Sequence, residues 1–269
     1  MTGAEVASAV LEGSVLIVAH PDDEVLWFGS VATEVDHIVV CFLNDPAKPE
    51  LARAREKVFE AHPWRDRLSC LGLDETGAFD LAAWPRPVVT DFGLKLVAPR
   101  KVAAEYQKRY QQLCDALTPY VRNAVNIITH NPWGEYGHEE HVLVHRAATA
   151  VAEANGKSVW YNNYASSWSE DLMRRYLDRA EHRIFRGNVA AEQMQEVANT
   201  YRAHGAWTWF DDYVWFSEEF FVEGPLSTND QPNFGWLFPV NILRLPGKNV
   251  PEVPRRKSNI RRALKKIIG

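Results

Sequence analysis

Apolar residues come first in short unbroken runs and then at helical spacing, and the alternation repeats. Val15, Leu16, Ile17 and Val18 form a run too short and too β-branched for a lone helix, so residues 14–19 read as a strand buried on both faces. Residues 24–34 read as a helix. His37 to Leu43 is a second buried strand, and Pro49 to Ala61 a helix with proline near its start. Leu68 to Leu73 is a short strand. Residues 74–100 lack periodicity and hold several prolines, which fits a binding loop or an insertion. Lys101 to Leu117 is a helix and Val125 to Ile128 a strand. Val142 to Ala154 is helical until Asn155-Gly156 stops it, and Val159 to Tyr164 is a further strand.

Strand and helix therefore alternate from about residue 14 to 165. That order predicts an α/β, Rossmann-like fold, a mostly parallel doubly wound sheet with helices on both faces. No GxGxxG follows the first strand, so a nicotinamide cofactor is not supported. The character then changes. Glu192 to Tyr201 reads as helical, and Trp207 to Phe221 is dense in aromatic and acidic residues, with Trp236 and Phe238 beyond. This aromatic-rich C-terminal extension is either core packed on the sheet or a sugar-stacking wall.

Chemistry gathers at two strand ends. The first strand breaks off into His20, Pro21, Asp22, Asp23 and Glu24. Proline offers no N–H to a ladder, so these residues form a loop at the carboxyl edge, where open α/β sheets bind ligands. Adjacent carboxylates call for a cation, a helix N-terminus or open water. Imidazole with carboxylate suits zinc, and His20 and Asp23 can supply two of three protein ligands. The second site follows Val125 to Ile128 and reads THNPWGEYGHEEHVLVH. Its His138, His141 and His145 share one face of a helix. Trp133, between the strand end and these histidines, is the aromatic expected to line a pocket.

AHPDDE after a first strand and GxxGHxxH after a later one resemble the PIG-L/LmbE family of zinc-dependent N-acetylglucosaminyl de-N-acetylases. The resemblance spans about residues 13–150. It implies a zinc-dependent hydrolase that removes an acetyl group from an N-acetylated amino sugar or glycoconjugate. By the same resemblance, one zinc ion is held by His20, Asp23 and His141, and Asp22 is the general base. His138 serves the oxyanion and leaving group, with Tyr136 two residues before it. The family often has a substrate-reaching arginine on the second helix, which implies Arg53, with Arg55 the competing choice. Glu139 and Glu140 stand where the family has Pro-Asp; Glu140 can still accept a hydrogen bond from a ligand imidazole. Other readings are a zinc amidase for a non-sugar amide or thiol conjugate, a metal-dependent phosphoesterase, and a non-catalytic sugar-binding protein. The expected partner is a small molecule or glycan carrying an N-acetyl group. Asp74, Asp80 and Asp91 are available to its hydroxyls.

Composition narrows the rest. The 269 residues fit one domain, 1–253, with an α/β core at about 14–165 and an extension over 166–253. A net charge of −5 argues against a nucleic-acid partner. Cys41, Cys70 and Cys114 are odd in number and widely spaced, which fits a reducing compartment. Residues 1–13 carry no basic signal pattern and no run reaches membrane-span length, so the expected location is the cytoplasm. The tail 254–269 carries seven Lys or Arg with Ile260, Leu264 and Ile267 on one helical face. It is read either as a docked terminal helix or as a peripheral membrane contact. The sequence leaves the oligomeric state open.

Overall fold

The computed structural model describes residues 7, 9–177, 183–224 and 239–245. The tail 254–269, Trp236 and Phe238 lie outside the described residues. The main sheet has seven strands in the order β3-β2-β1-β6-β7-β10-β9. These are β1 (Val15–Val18), β2 (His37–Asn44), β3 (Leu68–Asp74), β6 (Asn126–Thr129), β7 (Ser158–Tyr161), β9 (Ile184–Asn188) and β10 (Glu218–Gly224). The first five in chain order run parallel, while β10 is antiparallel to both β7 and β9. Two small sheets complete the described strands: β4 (Val89–Thr90) with β5 (Gly93–Leu94), and β8 (Tyr164–Ser166) with β11 (Asn241–Leu243).

The pleat explains why these strands are apolar throughout. Val15 and Ile17 join a core with α3 (Arg100–Asn123) and α4 (Glu139–Ala154), through Leu113, Leu117, Leu143 and Ala147. Leu16 and Val18 point the other way, onto Trp27, Phe28, Phe185 and Phe221. On that side α2 (Pro49–Ala61) and α6 (Ala191–Ala203) meet through Val58, Met194 and Val197. Two shorter helices are α1 (Asp23–Leu26) and α5 (Glu170–Tyr176). The sheet thus carries helices on both faces, and the C-terminal extension enlarges it by two antiparallel strands.

Two predicted elements differ. The helix expected over 24–34 is only the single turn α1. The N–H groups of Gly29 and Ser30 donate to the buried Glu219 carboxylate instead of to helix carbonyls. The strand expected over Val159 to Tyr164 breaks at Asn162-Asn163. Asn162 donates to Glu135 Oε1, and Asn163 receives the Phe220 N–H and donates to the Pro239 carbonyl. The chain leaves the main sheet there and pairs with β11. Beyond these, α3 runs on through Pro119 to Asn123.

The strand order reverses at β1, which has β2 on one side and β6 on the other. This is the switch point of a doubly wound sheet, where the loops leaving adjacent strands diverge and open a crevice. The loops after β1 and β6 carry the two histidine motifs. Thr129 Oγ1 donates to the Ile17 carbonyl and Ala19 N–H to His130 Nε2, so the two strand ends are stitched together.

Candidate metal centre

The loop after β1 folds tightly on itself. His20 N–H donates to Asp23 Oδ2 at 2.7 Å, and the Trp27 indole donates to Asp23 Oδ1 at 2.9 Å. Asp22 takes the left-handed conformation with φ 90°, sparsely populated outside glycine and better tolerated by Asp than by most residues. Two contacts hold it there. Its N–H donates to Glu24 Oε2, and its Oδ2 receives both the N–H and the hydroxyl of Thr208. Glu24 is itself pinned by His62 and the Tyr201 hydroxyl. Burial and the neighbouring Asp23 push the Asp22 carboxyl up to about 8, against the Thr208 hydrogen bonds.

The loop after β6 is closed by Gly134, at φ 66°, where a Cβ would fall 2.5 Å from the His138 carbonyl oxygen. Asn131 organises it by accepting the N–H groups of Trp133 and Glu135 and donating to Asn162 and the Tyr164 carbonyl. His138 caps α4, and its Nδ1 accepts the Glu140 N–H. His141 follows on the first turn, fully buried.

These loops bring His20, His138, His141, His130 and Asp23 together. His20 Nδ1 lies 3.3 Å from Asp23 Oδ2, and His141 Nε2 lies 3.4 Å from Asp23 Oδ1. Among the described residues, three threesomes have donor atoms mutually within 4.8 Å: His20/His138/His141, Asp23/His130/His141 and His20/Glu75/Glu140. The partner of each atom separates them. His130 Nε2 spends its lone pair on the Ala19 N–H, and its other face meets Glu135 at 3.1 Å, so it has no lone pair left for an ion. Glu75 pairs with Arg55 at 2.6 Å, and Glu140 accepts from Thr76 and lies 3.0 Å from His20 Nε2. His141 differs: its Nδ1 meets Glu135 Oε2 at 2.6 Å, while its Nε2 is buried without a hydrogen-bond partner. A buried polar atom left bare is costly unless something else occupies it. An ion there would draw on the orphan itself, the Asp23 carboxylate beside it and His20 beside that carboxylate, a set that none of the three threesomes contains whole. Imidazole with carboxylate suits a zinc-type ion, and Glu140 and Glu135 each grip the far nitrogen of one imidazole.

Electrostatics follows the same lines. Burial opposes ionising Asp23, but His141, His130 and His20 outweigh it and hold its carboxyl well below the usual carboxylate range. Burial likewise opposes Glu135, and His130 and His141 bring it down to about 2. Burial, then His141 and His20, holds His138 well below the ordinary imidazole value. A neutral His138 whose Nδ1 accepts must carry its proton on Nε2. Its ring stacks on His141 at 4.5 Å and lies 4.8 Å from His20. Tyr136 is half-buried, with its ring 5.6 Å from His141 and 5.7 Å from His138.

Two expected substrate contacts are placed elsewhere. Trp133 is fully buried in a core cluster with Leu172 and Tyr176, and its indole N–H donates to the Tyr164 carbonyl at 2.6 Å. On α2, Arg55 and Val58 face the protein, which turns Arg53 outward into solvent. Arg55 is buried and bonded to the Leu43 carbonyl and Glu75.

His130, Glu135 and Thr208 were not among the expected site residues, although the first two lie within the second motif. Thr208 belongs to the aromatic segment, which crosses the loop after β1 as an irregular strap. Trp209 packs on Trp27 at 5.0 Å, Tyr213 donates to the Leu26 carbonyl, and Trp215 to the Val25 carbonyl. The strap therefore satisfies carbonyls that the one-turn helix α1 leaves open.

No family model matches the chain, and no curated protein matches it significantly. Solved structures that it resembles include a deacetylase of the teicoplanin biosynthesis pathway in complex with teicoplanin. That one has a TM-score of 0.48 and 12% identity, over 80% of this chain and 100% of that one. The zinc-inhibited form of teicoplanin deacetylase has a TM-score of 0.47 and 13% identity, over 81% and 99%. Likeness of this degree identifies no activity. Among the described residues no helix is long and apolar enough to cross a membrane.

Proposed function

We propose that this protein is a zinc-dependent hydrolase that removes the acetyl group from an N-acetylated amino sugar or glycoconjugate. The observation that carries the reading is the orphaned Nε2 of His141, 3.4 Å from Asp23, in a cluster completed by His20. His20, Asp23 and His141 would hold one ion. The motif resemblance supports the same three residues. When bound, zinc supplies Lewis acidity, polarising an amide carbonyl and making water acidic enough to attack near neutral pH.

The chain's own groups do the rest. Asp22 in its ionised form accepts a proton from the attacking water. Thr208 holds both of its hydrogen bonds on Oδ2, which fixes the carboxylate. His138 donates its Nε2 proton, and Tyr136 its hydroxyl, to the oxygen that gains charge as the carbonyl is attacked. The proton that Asp22 collects goes to the departing amine. The test separates metal holding from proton transfer. Asp22→Asn keeps zinc and loses at least ~10²-fold in acetate release. His141→Ala and Asp23→Ala lose zinc, read by metal analysis of the purified chain. An active Asp22→Asn chain, or full zinc in both ligand variants, removes these roles.

A further inference from the structure

The loop between β3 and β4 leaves the same sheet edge as the metal centre, and its sequence is aperiodic. It is nonetheless tied down by the first turn of α4. Glu140 Oε1 receives the N–H and the hydroxyl of Thr76. Glu139, fully buried, receives Asp80 N–H at 3.1 Å, Ala82 N–H at 2.7 Å and the Trp84 indole at 3.1 Å. The Trp84 ring then lies against Gly137, where a Cβ would come within 3.2 Å of it. A carboxylate at a helix N-terminus is favourable in itself. Here Glu139 with both oxygens and Glu140 with Oε1 hold a loop 55 to 64 residues away in sequence, while Glu140 Oε2 faces His20.

The consequence is the placement of Phe79. Its neighbour Ala78 is buried, while Phe79 is 44% exposed. Its ring lies 4.7 Å from His138 and 6.4 Å from Tyr136. Trp209 flanks Tyr136 on the strap at 5.0 Å. A single exposed phenylalanine is ordinary. One clamped by its own loop against the two oxyanion donors is placed to meet whatever enters beside the reacting amide.

We propose that Phe79 is a specificity-determining residue, packing on a flat apolar face next to the amide, and that Glu139 is the positioning residue that sets it there. This rests on the hydrolase reading above. The chemistry it recognises is a ring face, of a pyranose or of an aryl substituent.

The test uses the zinc-loaded full chain and two probes, the methyl and p-nitrophenyl β-glycosides of N-acetylglucosamine. For Phe79→Ala, KM rises about fivefold with kcat within about twofold, and Phe79→Tyr restores it. A rise for both glycosides assigns the pyranose face, and a rise for the aryl glycoside alone assigns the aryl face. Glu139→Ala reproduces the KM rise, keeps its zinc, and speeds amide hydrogen exchange at Asp80 and Ala82. Unchanged KM for both glycosides in Phe79→Ala, or unchanged exchange and KM in Glu139→Ala, overturns the proposal. Should the wild-type chain release no acetate from either probe, calorimetric binding of the same glycosides decides. Binding weakened about fivefold in Phe79→Ala upholds the contact, while equal affinity or no binding overturns it.

Discussion

Around Asp23 several imidazoles compete for one role, and the partner of each ring nitrogen sorts them. His130 Nε2 is spent on Ala19 and His138 Nδ1 on the α4 cap; of the two bare buried imidazole nitrogens among the described residues, His130 Nδ1 and His141 Nε2, the second lies beside Asp23. In the proposed centre Glu135 then matters as much as a ligand. It is buried at φ 49°, held by Asn131 N–H and Asn162, with its other oxygen 2.6 Å from His141 Nδ1. Glu135→Gln sets an amide donor against the His141 Nδ1–H. Zinc affinity, read by competition with a chelating dye, should fall about 10- to 100-fold with the fold intact. An unchanged affinity would remove Glu135 from the centre. The gathering of His20, Asp23 and His141 was legible because they sit in short motifs at strand ends. Glu135 and His130 lie in the same stretch as His141, but their partners arrive from β1 and from the end of β7. Trp133 misled for a related reason: its neighbours in sequence are site residues, but its indole is claimed by Tyr164.

Elements behave as their terminal hydrogen bonds dictate. Residues 24–34 have helical spacing, but Glu219, 190 residues beyond Gly29, takes the N–H groups that would extend α1. Nothing near residue 29 announces that competitor. The aromatic segment reads as core or wall; its end, Phe221 on β10, is core, and the part before β10 packs on the core as a strap because Tyr213 and Trp215 reach the open carbonyls of α1. Helix α4 is locked to the end of β6 by His145, whose Nδ1–H donates to the His130 carbonyl at 2.9 Å. Burial holds this imidazole down at about 3. The unfolded chain takes up the proton near the ordinary value of about 6.5. Above that pH His145 costs nothing; as pH falls from 6.5 towards 3, the unfolded state binds the proton first and stability is lost. Urea midpoints should therefore fall from pH 7 to pH 5, with at most ~2 kcal/mol of the loss due to this group. His145→Asn should show a shallower decline. An identical slope would assign the acid sensitivity elsewhere.

At the scale of the molecule, the switch point makes the centre. Reversal of strand order at β1 places the loop after residue 18 beside the loop after residue 129, and neither motif alone offers three ligands. The parallel order was readable from strand and helix alternation. The antiparallel pair β10 and β9 was not, because aromatic density does not tell a strand from a strap, and only cross-strand pairing of Phe221 with Phe185 makes the distinction. The proposed activity is metal-dependent amide hydrolysis at this crevice. Its most direct measurement is acetate release by the zinc-loaded chain from free, nucleotide-linked, lipid-linked and oligomeric N-acetylglucosamine, each with and without chelator. Release from at least one of these that chelator abolishes and added zinc restores is the predicted result. No acetate from any of them, with zinc shown to be bound, or release that chelator leaves untouched, would contradict it.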